Sequence, residues 1–446
     1  MPKPSDPAVP DLSTTERLLA LWDALGLRSA HVAAPMPADI TGLAGDHPER
    51  LAGIVLCAPS RLDPAPFTGV AERLLMIAGE HGLTAEATGR AAPRLPGAVR
   101  RVIPGYDPPG WADVAADHTD AIATWMIDHL DGRETEVDPP RAGEREGIVA
   151  GISYRIEGTG PALLLLPFFL APSQWEPLVP RLAKRFSVII LGGAHIGGVA
   201  ALEDRARAPT YRAMFRTLID LIDPQPRETI LDVGCGAGSL DRLLARRLGP
   251  GNAITAMDTN PFLLREAKAL AAAEGLEDRI HFTDGNAEAL PFGDASFDAV
   301  FSVTVLEECD ADRALREMVR VARPGGRVGV VVRSIDMQQW WNLAVPESAR
   351  TRAETPPRSV SPKGVADASL YPRMQRAGLA DLVCFPTLVT LDNPAGPIWR
   401  HREDHVLSLL SPEETRAWAA AREPVSAAGL LFMSHPLHCA VGTRPR

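Results

Sequence analysis

The sequence has few cysteines, few lysines and no long apolar run. Its five cysteines are scattered, at Cys57, Cys235, Cys309, Cys384 and Cys439, and none of them forms a C-x-x-C pair. An odd number of scattered cysteines excludes a disulfide framework and suits a reducing compartment. The longest apolar run, residues 162–171, is too short to span a bilayer, so no membrane partner is expected.

Lysine is rare, and the basic residues form no long consecutive block. Lysine occurs only as Lys3, Lys184, Lys268 and Lys363, and the chain carries a formal net charge of −10. A general nucleic-acid binder shows a basic balance, so nucleic acid is not an expected partner. Residues 1–7 are polar and proline-rich, which does not match a signal peptide. We therefore predict a cytoplasmic protein.

Hydrophobic residues, in contrast, are abundant and make up 46% of the 446 residues. A chain of this length is expected to form two or three domains, each large enough to bury a core. Residues 131–148 are charged and contain proline and glycine. This composition predicts a linker between two of the domains.

A glycine turn organises the middle of the chain. Residues 229–232 predict a short buried strand, and residues 240–248 follow a helical pattern. Between them lies Gly234-x-Gly236-x-Gly238. Glycine lets the backbone approach a ligand closely, and the N-terminus of a helix points N–H groups at a negative group. Strand, turn and helix together indicate the start of a nucleotide-binding unit.

A second predicted strand ends in a carboxylate that suits ribose binding. Residues 253–258 end at Asp258, which follows Gly238 by about 20 residues, the usual distance for a carboxylate that binds ribose hydroxyls. The dinucleotide fingerprint G-x-G-x-x-G would require a third glycine where Ser239 stands. NAD is therefore disfavoured as the cofactor.

Five motifs in this order resemble the class I S-adenosylmethionine (SAM) dependent methyltransferases, and look closest to the ubiquinone/menaquinone and sterol C-methyltransferases. They are the glycine turn, the strand that ends at Asp258, and residues 281–292, 296–302 and 323–332. The resemblance covers residues 209–334 well. It implies a Rossmann-like α/β domain with a doubly wound, mostly parallel sheet, and SAM as the cofactor.

The resemblance also implies which residues bind the cofactor. The glycine turn and the aspartate before it would hold the methionine part, Asp258 the ribose, and Asn286 with Ala287 the adenine. Ser302 would open onto the methyl group. Tyr211 would reach over the cofactor, with an ordinary helix-surface aromatic as the alternative. The full set of expected cofactor-binding residues is Tyr211, Asp232, Gly234, Gly236, Gly238, Asp258, Thr259, Asn286, Ala287 and Ser302.

Residues 1–130 resemble the C-terminal two-thirds of an α/β-hydrolase, and residues 47–56 are the most characteristic piece. The nucleophile elbow of that family, G-x-S-x-G, would follow the strand at residues 31–33. Met36 stands there in place of the serine, and alanines replace both glycines. A thioether cannot act as a hydrolytic nucleophile, and the loop at residues 105–110 lacks the family's histidine. We therefore expect a hydrolase-like domain without hydrolase activity.

Residues 149–205 resemble the first strands of the hydrolase fold, which the N-terminal region lacks. The predicted organisation is a hydrolase-like region at 1–130, a linker at 131–148, hydrolase-like strands at 149–205 and a methyltransferase domain at 206–446. Two arrangements of the first and third segments stay open. They form either one circularly permuted sheet or two separate small lobes.

Methyl transfer needs correct positioning and, for some acceptors, a base. The candidate catalytic residues are Glu307, His401, His405 and His435, with Glu308 and His438 as further candidate bases. The two glutamates follow a strand end, where active-site residues lie in doubly wound sheets; a polar helix start is the alternative. His401-x-x-x-His405 has the spacing of a metal-ligand pair, but no cysteine or acidic cluster completes a familiar site, so no metal is predicted.

Three large aromatic residues after the last parallel strand, Trp340, Trp341 and Tyr371, predict an apolar pocket for the acceptor, with core packing as the alternative. The predicted function is methyl transfer from SAM to a small, apolar or aromatic metabolite, by a monomer or a homodimer. Two other functions stay open: a SAM-binding regulatory or interaction protein without turnover, and the less favoured ester hydrolase. The acceptor atom is not decided by the sequence.

Overall fold

The structure is a computed structural model in which the chain forms two compact units, Met1–Ala201 and Leu202–Arg446. It describes residues 12–106, 114–132, 139–141, 143, 145–168, 172–193, 195–356, 360–394 and 396–446; the side chains at 38, 172, 173, 262, 401 and 408 lie outside this description. Each unit is an α/β fold around its own sheet. Among the helices described, none combines the length and the apolar character needed to cross a membrane.

The first unit alternates strands and helices along the chain. Its strands are β1 (Ala30–Ala34), β2 (Leu51–Cys57), β3 (Leu74–Gly79), β4 (Val99–Ile103), β5 (Glu146–Val149), β6 (Ile152–Glu157), β7 (Ala162–Leu165) and β8 (Ser187–Gly192). Its helices are α1 (Thr14–Leu25), α2 (Thr41–Asp46), α3 (Gly82–Ala91), α4 (Val114–Asp117), α5 (Thr119–Leu130), α6 (Val179–Leu182) and the first part of α7 (Gly197–Arg207).

These strands form one eight-stranded sheet in the order β4-β3-β2-β1-β7-β8-β6-β5. Strands β1 to β4, β7 and β8 run parallel, whereas β6 is antiparallel to both of its neighbours. Strand β1 pairs with β7, for example through His31 and Leu163. Strands from before residue 130 and from after residue 145 therefore share one sheet and do not form two lobes.

The centre of this sheet is buried on both faces. Strands β1, β2, β3 and β7 are buried along their whole length. Leu18 and Trp22 of α1 belong to the core on one face, and Ile122 and Met126 of α5 belong to the core on the other. Cover on both faces explains why these strands appear in the sequence as continuous apolar runs.

The second unit begins with the end of α7 and contains the glycine turn. Its strands are β9 (Thr229–Val233), β10 (Ala253–Asp258), β11 (Ile280–Asp284), β12 (Phe297–Val303), β13 (Ala322–Arg333), β14 (Trp340–Trp341), β15 (Ala380–Cys384), β16 (Thr387–Leu391) and β17 (Met433–Thr443). Its helices are α8 (Pro209–Ile222), α9 (Ser239–Arg247), α10 (Pro261–Ala273), α11 (Ala311–Val321), α12 (Glu347–Glu354), α13 (Leu370–Arg376), α14 (Pro397–Leu409) and α15 (Pro412–Ala427).

The second sheet is doubly wound and mixed: the pairings among β9 to β13 are parallel, as predicted, whereas every pairing of β17 is antiparallel. Its main order is β11-β10-β9-β12-β13-β17-β14, and β15 and β16 also pair with β17. The chain moves outward from β9 to β11 and then returns to place β12 beside β9. The strand order reverses between β9 and β12. Ligands of such sheets bind at this switch point, outside the carboxyl ends of the strands.

Some elements differ from their predicted extents. The helix predicted near residues 112–130 is two helices, α4 and α5, with a turn at His118 between them. The strands predicted at 429–433 and 438–441 are parts of one strand, β17, which begins only at Met433. The sequence did not predict β16. Because β17 pairs with β13 on one side and with β15 and β16 on the other, its length is set by long-range pairing.

Candidate active site

The glycine turn after β9 has the backbone shape that only glycine adopts easily. Gly234, Gly236 and Gly238 all have positive φ, at 84°, 59° and 68°. A Cβ on Gly234 would lie 2.2 Å from Cγ2 of Val305, and a Cβ on Gly238 would lie 2.9 Å from Cε1 of Phe282. A larger residue at Gly234 or Gly238 would therefore have a strained backbone and would clash with Val305 or Phe282.

The carboxylate of Asp258 connects this turn to the end of β10. Its Oδ2 atom accepts the backbone N–H of Gly236 at 2.9 Å, and its Oδ1 atom accepts that of Asn260 at 3.0 Å. Burial raises the pKa of Asp258, and these two N–H groups oppose the rise. Each oxygen can accept further hydrogen bonds, and the role of Asp258 in binding ribose stays a prediction.

Two buried carboxyl groups lie beside the turn. Asp232, near the end of β9, and Asp241, in the first turn of α9, are both fully or almost fully buried. Burial, followed by the neighbouring Asp241, raises the pKa of Asp232 well above its usual range. Burial also raises the pKa of Asp241 to about 7. Because the two carboxyl groups repel each other when both are ionised, each makes it harder for the other to lose its proton.

Tyr211 on α8 is buried, and its hydroxyl has no hydrogen-bond partner among the described residues. The guanidinium carbon of Arg205 lies 4.9 Å from the centre of the Tyr211 ring. Burial raises the pKa of Tyr211, with smaller contributions from the Asp232 and Glu307 carboxyl groups, while Arg205 opposes the rise. Tyr211 is therefore a buried residue and not a helix-surface aromatic. Its hydroxyl lies within electrostatic range of Asp232, which comes just before the glycine turn in the chain.

The loop after β12 brings Glu307 into the same region. Glu307 is fully buried, and its Oε1 atom accepts the backbone N–H of Arg333 at 2.6 Å. Its Oε2 atom has no partner among the described residues. Burial raises the pKa of Glu307 to about 7, against the lowering effect of Arg333. Such a carboxyl group exchanges a proton near neutral pH.

Arg333, at the end of β13, holds both glutamates of this loop. Its Nε atom is 3.6 Å from Oε1 of Glu307, and its Nη2 atom donates to Oε1 of Glu308 at 3.0 Å. Burial raises the pKa of Glu308, and Arg333 opposes the rise. Neither glutamate belongs to a helix, because α11 begins only at Ala311. The alternative of a polar helix start is therefore wrong for this pair.

A small cavity lies beyond the end of β13. Its lining includes Arg333, Ser334, Gln339, Pro356, Arg402 and His435. His435 on β17 is buried, and burial, followed by the guanidinium groups of Arg402, Arg205 and Arg333, lowers its pKa well below the usual range. Its imidazole is therefore neutral at pH 7, and with this lowered pKa it is a weaker base than an ordinary histidine.

Ser302 does not open onto a cofactor surface, contrary to the prediction. It is fully buried, and its hydroxyl donates to the carbonyl of Val233 at 2.8 Å. The side chain therefore ties β12 to β9 below the strand ends. Two residues further on, Thr304 is half-buried and has φ of 59°, and its hydroxyl accepts a hydrogen bond from Nη1 of Arg205 at 3.2 Å.

The other predicted cofactor residues lie at the rim of the same sheet edge. Thr259 and Asn286 are exposed, and Ala287 is half-buried. The side-chain oxygen of Asn286 accepts the N–H of Glu288 at 2.8 Å, which shapes the loop after β11. An exposed rim of this kind can border the outer end of an elongated ligand.

The three aromatic residues predicted to form a pocket have different environments. Trp340 is 51% exposed and packs edge-on against Phe432. Trp341 is buried between Trp399 and Trp418, so it belongs to an indole core and not to a cavity wall. Adjacent residues of a strand point to opposite faces, which separates the two. The structure therefore does not bring these aromatics together as one pocket.

Tyr371 is part of a hydrogen-bonded chain with His438 and Asp336. A hydrogen bond of 2.9 Å joins the Tyr371 hydroxyl to Nδ1 of His438, and one of 2.7 Å joins Nε2 of His438 to Oδ1 of Asp336. Although burial raises it, hydrogen bonds from Ser334 and His438 lower the pKa of Asp336 to about 2. His438 is thus engaged on both ring nitrogens and is a poor candidate for the catalytic base.

His401 and His405 both lie on α14. The side chain of His401 lies outside the described residues, and that of His405 is half-buried. Over the described part of the chain, no three histidine, cysteine, aspartate or glutamate side chains gather as a metal site would require.

In the first unit, the loop that would hold a hydrolase nucleophile contains Met36. The residue precedes a short 3-10 helix, Pro37–Asp39, and its carbonyl accepts the N–H of Asp39 at 3.2 Å. The loop after β4, which would hold the histidine, begins with Gly105 and Tyr106, and residues 107–113 lie outside the described structure. The hydroxyl of Tyr106 donates to Oδ2 of Asp117 at 2.7 Å.

Sequence reasoning missed the arginines of the site. Arg333 and Arg402, from β13 and α14, line one cavity, and Arg205 of α7 lies against the Tyr211 ring. Arg333 had a detectable signal, since it is the last residue of a parallel strand, where ligand-facing residues are found. Arg205 and Arg402 carry no local signal of this kind.

Comparison with protein-family models shows that residues 231–330 match the model described as a methyltransferase domain. The ubiquinone/menaquinone biosynthesis C-methyltransferase of Hahella chejuensis is 38% identical over 122 residues, 27% of this chain and 49% of that protein. The methyltransferase GfsG of Streptomyces halstedii is 36% identical over 118 residues, 26% of this chain and 42% of that protein. The chain thus spans about half the length of the curated relatives it matches.

Among solved structures, the YcgJ protein of Bacillus subtilis has 19% identity and a TM-score of 0.37, over 53% of this chain and 99% of that one. A geranyl diphosphate methyltransferase in complex with SAM has 20% identity and a TM-score of 0.33, over 56% of this chain and 91% of that one. Likeness at this level supports no conclusion about the substrate. The match to the methyltransferase domain falls on the glycine turn and the strands around it, where the site lies.

Proposed function

We propose, from the premise that residues 231–330 form a SAM-dependent methyltransferase domain, that this chain transfers the methyl group of SAM to a small metabolite with an apolar or aromatic body. One observation carries the proposal. Beside the glycine turn, Tyr211 and Glu307 each keep a buried polar oxygen that no described residue satisfies. Buried polar atoms are rarely left without partners unless a ligand or substrate uses them.

The residues around the turn fit SAM. The three glycines have positive φ angles and no side chains, so the backbone of the turn can approach a ligand. Asp258, at the end of the next strand, would accept hydrogen bonds from two ribose hydroxyls. We infer that Asp232 binds the ammonium group of the methionine part. The positive charge of that group would offset the cost of ionising this buried carboxyl group. When bound, SAM supplies a methyl group on a sulfonium that is already a strong electrophile.

Glu307 is the base that the site offers first. Its Oε2 atom is unpartnered, and a pKa of about 7 means that it can take a proton from the acceptor at neutral pH and release it afterwards. Arg333 holds Oε1 through its backbone N–H, which leaves Oε2 as the oxygen that can take the proton. His435 is the second candidate, because its neutral imidazole lines the neighbouring cavity.

We further propose that the first unit is a circularly permuted, catalytically silent hydrolase-like domain. Read from its other end, the sheet order is β5-β6-β8-β7-β1-β2-β3-β4, and β6 is the strand that runs against the others. Renumbered from β5, the strand order is 1-2-4-3-5-6-7-8, so the strands after residue 145 form the first half of the sheet and those before residue 104 the second half. Met36 then follows the fifth strand, at the place of the nucleophile.

The test of the function is methyl transfer itself. The full chain would be incubated with methyl-labelled SAM and fractionated metabolite extract, and the label would be followed into small molecules. Label in a metabolite with wild type, and its loss with Glu307→Gln, supports the proposal. Tight SAM binding without any transfer would favour the regulatory alternative. Covalent labelling of the first unit by a fluorophosphonate would instead revive the ester-hydrolase alternative.

A further inference from the structure

A buried arginine is hydrogen-bonded to the backbone of the glycine turn. Arg242, in the first half of α9, is 3% exposed, and each of its three side-chain nitrogens has a hydrogen-bond partner. Nη1 donates to the backbone carbonyl of Ala237 at 2.7 Å, Nη2 to Oε1 of Glu203 at 2.5 Å, and Nε to Oε1 of Glu274 at 3.0 Å. A buried charge needs partners of this kind to offset its lost hydration. The two carboxylates supply the opposite charge, and the third contact reaches the turn.

The Ala237 carbonyl belongs to a peptide unit that glycine leaves free to turn over. This unit joins Ala237 to Gly238, which has φ of 68°. Turning it over changes ψ of the first residue and φ of the second, and glycine accepts φ of either sign at little cost. The hydrogen bond from Nη1 of Arg242 opposes this rotation, because the carbonyl oxygen would lose a charged donor inside the protein. On the other side of the unit, the N–H of Gly238 donates to the carbonyl of Cys235 at 3.0 Å.

The orientation of this peptide unit matters because α9 begins directly after it. Gly238 is the N-cap of α9, which starts at Ser239, and no side chain caps the helix there. The first N–H groups of a helix have no partner within the helix, so a negative group of a ligand can use them. Rotation of the unit that ends at Gly238 would shift these donors, because Gly238 is bonded to Ser239.

Glu203 holds the arginine from outside the matched methyltransferase domain. It is 7% exposed and lies in the part of α7 that belongs to the second unit. Its neighbour Leu202 lies against the turn: Cδ1 of Leu202 is 3.3 Å from the position that a Cβ on Gly236 would take. Glu274 directly follows α10. The guanidinium group of Arg242 is therefore held between carboxylates from two separate elements, which limits its movement.

We infer that Arg242 is a positioning residue of the cofactor site: held by Glu203, it keeps the peptide unit between Ala237 and Gly238 in the orientation that binds SAM. This deepens the proposed function and rests on its SAM site, but on no property of the methyl acceptor. If the rotated form of the turn is populated, the apparent affinity falls with the fraction of molecules that can still bind. Because Glu203 precedes residues 231–330, cofactor affinity depends on a residue outside the matched domain.

The test is calorimetric titration of the full chain with S-adenosylhomocysteine, well below the unfolding temperature, with thermal unfolding measured on the same samples. Arg242→Met removes the donor to Ala237 and should weaken binding roughly ten- to a hundredfold. Arg242→Lys keeps the charge but loses the fork, so it should weaken binding less. Arg246→Gln is the matched control: it removes a 2.8 Å ion pair with Glu274 on the same helix and should leave the affinity unchanged.

A double variant separates the turn from a general loss of stability. Arg242→Met leaves the buried Glu203 carboxylate without its ion-pair partner, which destabilises the fold. Combining it with Glu203→Gln removes both charges. The double variant should therefore unfold at a higher temperature than Arg242→Met, while its affinity for S-adenosylhomocysteine stays as low.

The outcomes are distinct. Low affinity confined to the Arg242 variants, with the lysine variant between wild type and Arg242→Met, supports the inference. Equal affinities of wild type and the double variant overturn it, whatever the thermal stability, because the arginine then only supports the fold. An equal loss in Arg246→Gln overturns it as well, since any ion pair of α9 would then have the same effect. Both of these results leave the proposed function standing, whereas a wild type that does not bind S-adenosylhomocysteine contradicts the two together.

Discussion

The backbone N–H of Arg333 donates to Oε1 of Glu307 at 2.6 Å, while Oε2 of the same buried carboxyl group has no described partner. Oε1 is thus held by the backbone at the end of β13, and Oε2 is the oxygen that can take up a proton. Desolvation is the main cause that raises the pKa of Glu307, with a smaller contribution from Glu308, while the Arg333 guanidinium and the backbone N–H groups of Arg333 and Glu307 oppose the rise.

Replacing Glu307 should remove the catalytic base. Glu307→Gln keeps the volume and the hydrogen bond to Arg333 but cannot take a proton, so turnover should fall by roughly 10²–10⁴-fold. In wild type, the rate should rise with pH through about 7, as Glu307 loses its proton. Single-turnover rates between pH 5.5 and 8.5, an experimental range of about three units around that pKa, provide the measurement. Glu308→Gln is the control, and a shared loss in both variants would argue against the role of Glu307.

Glu307 also makes folding stability depend on pH. Its pKa is about 7 in the folded chain against an ordinary value of 4.5, so between these values the folded state binds more protons than the unfolded state. The free energy of unfolding should therefore decrease as pH rises from about 4.5 to about 7, by an amount on the order of 3 kcal/mol from this group. Denaturant titrations of wild type and Glu307→Gln would show the difference, and parallel pH profiles would exclude it.

Asp258 should contribute strongly to SAM affinity. A carboxylate that accepts two ribose hydroxyls makes charge-assisted hydrogen bonds, so Asp258→Ala should cost about 1.5–3 kcal/mol, roughly ten- to a hundredfold in affinity. Asp258 also accepts the N–H of Gly236, so Asp258→Asn, which keeps an acceptor for the turn, separates the two effects. Calorimetry with S-adenosylhomocysteine is the measurement. Equal affinities for wild type and Asp258→Ala would remove Asp258 from the ribose site.

Gly234→Ala should disturb the turn without touching any charged group. The new methyl group would meet Val305 in a backbone conformation with φ of 84°, which costs about 1–2 kcal/mol for a residue with a Cβ, before the clash is counted. Gly249→Ala is the control, since no atom lies within 4 Å of its Cβ position. Thermal unfolding and SAM affinity should both decline in the first variant only. Normal values for Gly234→Ala would show that the turn is not strained.

The permuted sheet predicts how truncated chains behave. Strand β7 pairs with β1, so a fragment that starts near residue 147 loses β1 to β4 and exposes the edge of a buried strand, an aggregation hazard. A fragment that starts near residue 202 should stay monodisperse and bind SAM. The start predicted from the sequence, residue 206, would remove Glu203, whose carboxylate pairs with the buried Arg242 at 2.5 Å. Size exclusion compares the fragments; a well-behaved monomer from 147 would contradict the prediction.

The sequence by itself determined the local parts of this protein. The pattern of apolar residues predicted β9, β10, β12 and most of the first sheet, because the buried positions of a strand are occupied by apolar residues. The glycine turn and Asp258 were predicted for a similar reason, since positive φ and a strand-end carboxylate belong to a short stretch of chain.

Only the tertiary structure decided which distant residues meet. It paired β1 with β7, which lie more than a hundred residues apart in the chain. It also buried Glu307 and Ser302, which form hydrogen bonds with the backbone of Arg333 and of Val233. Arg333 and Arg402, from separate elements, line one cavity with His435. Burial and pairing of this kind arise from packing between segments, and a residue's own neighbours in sequence carry no record of which surface will cover it.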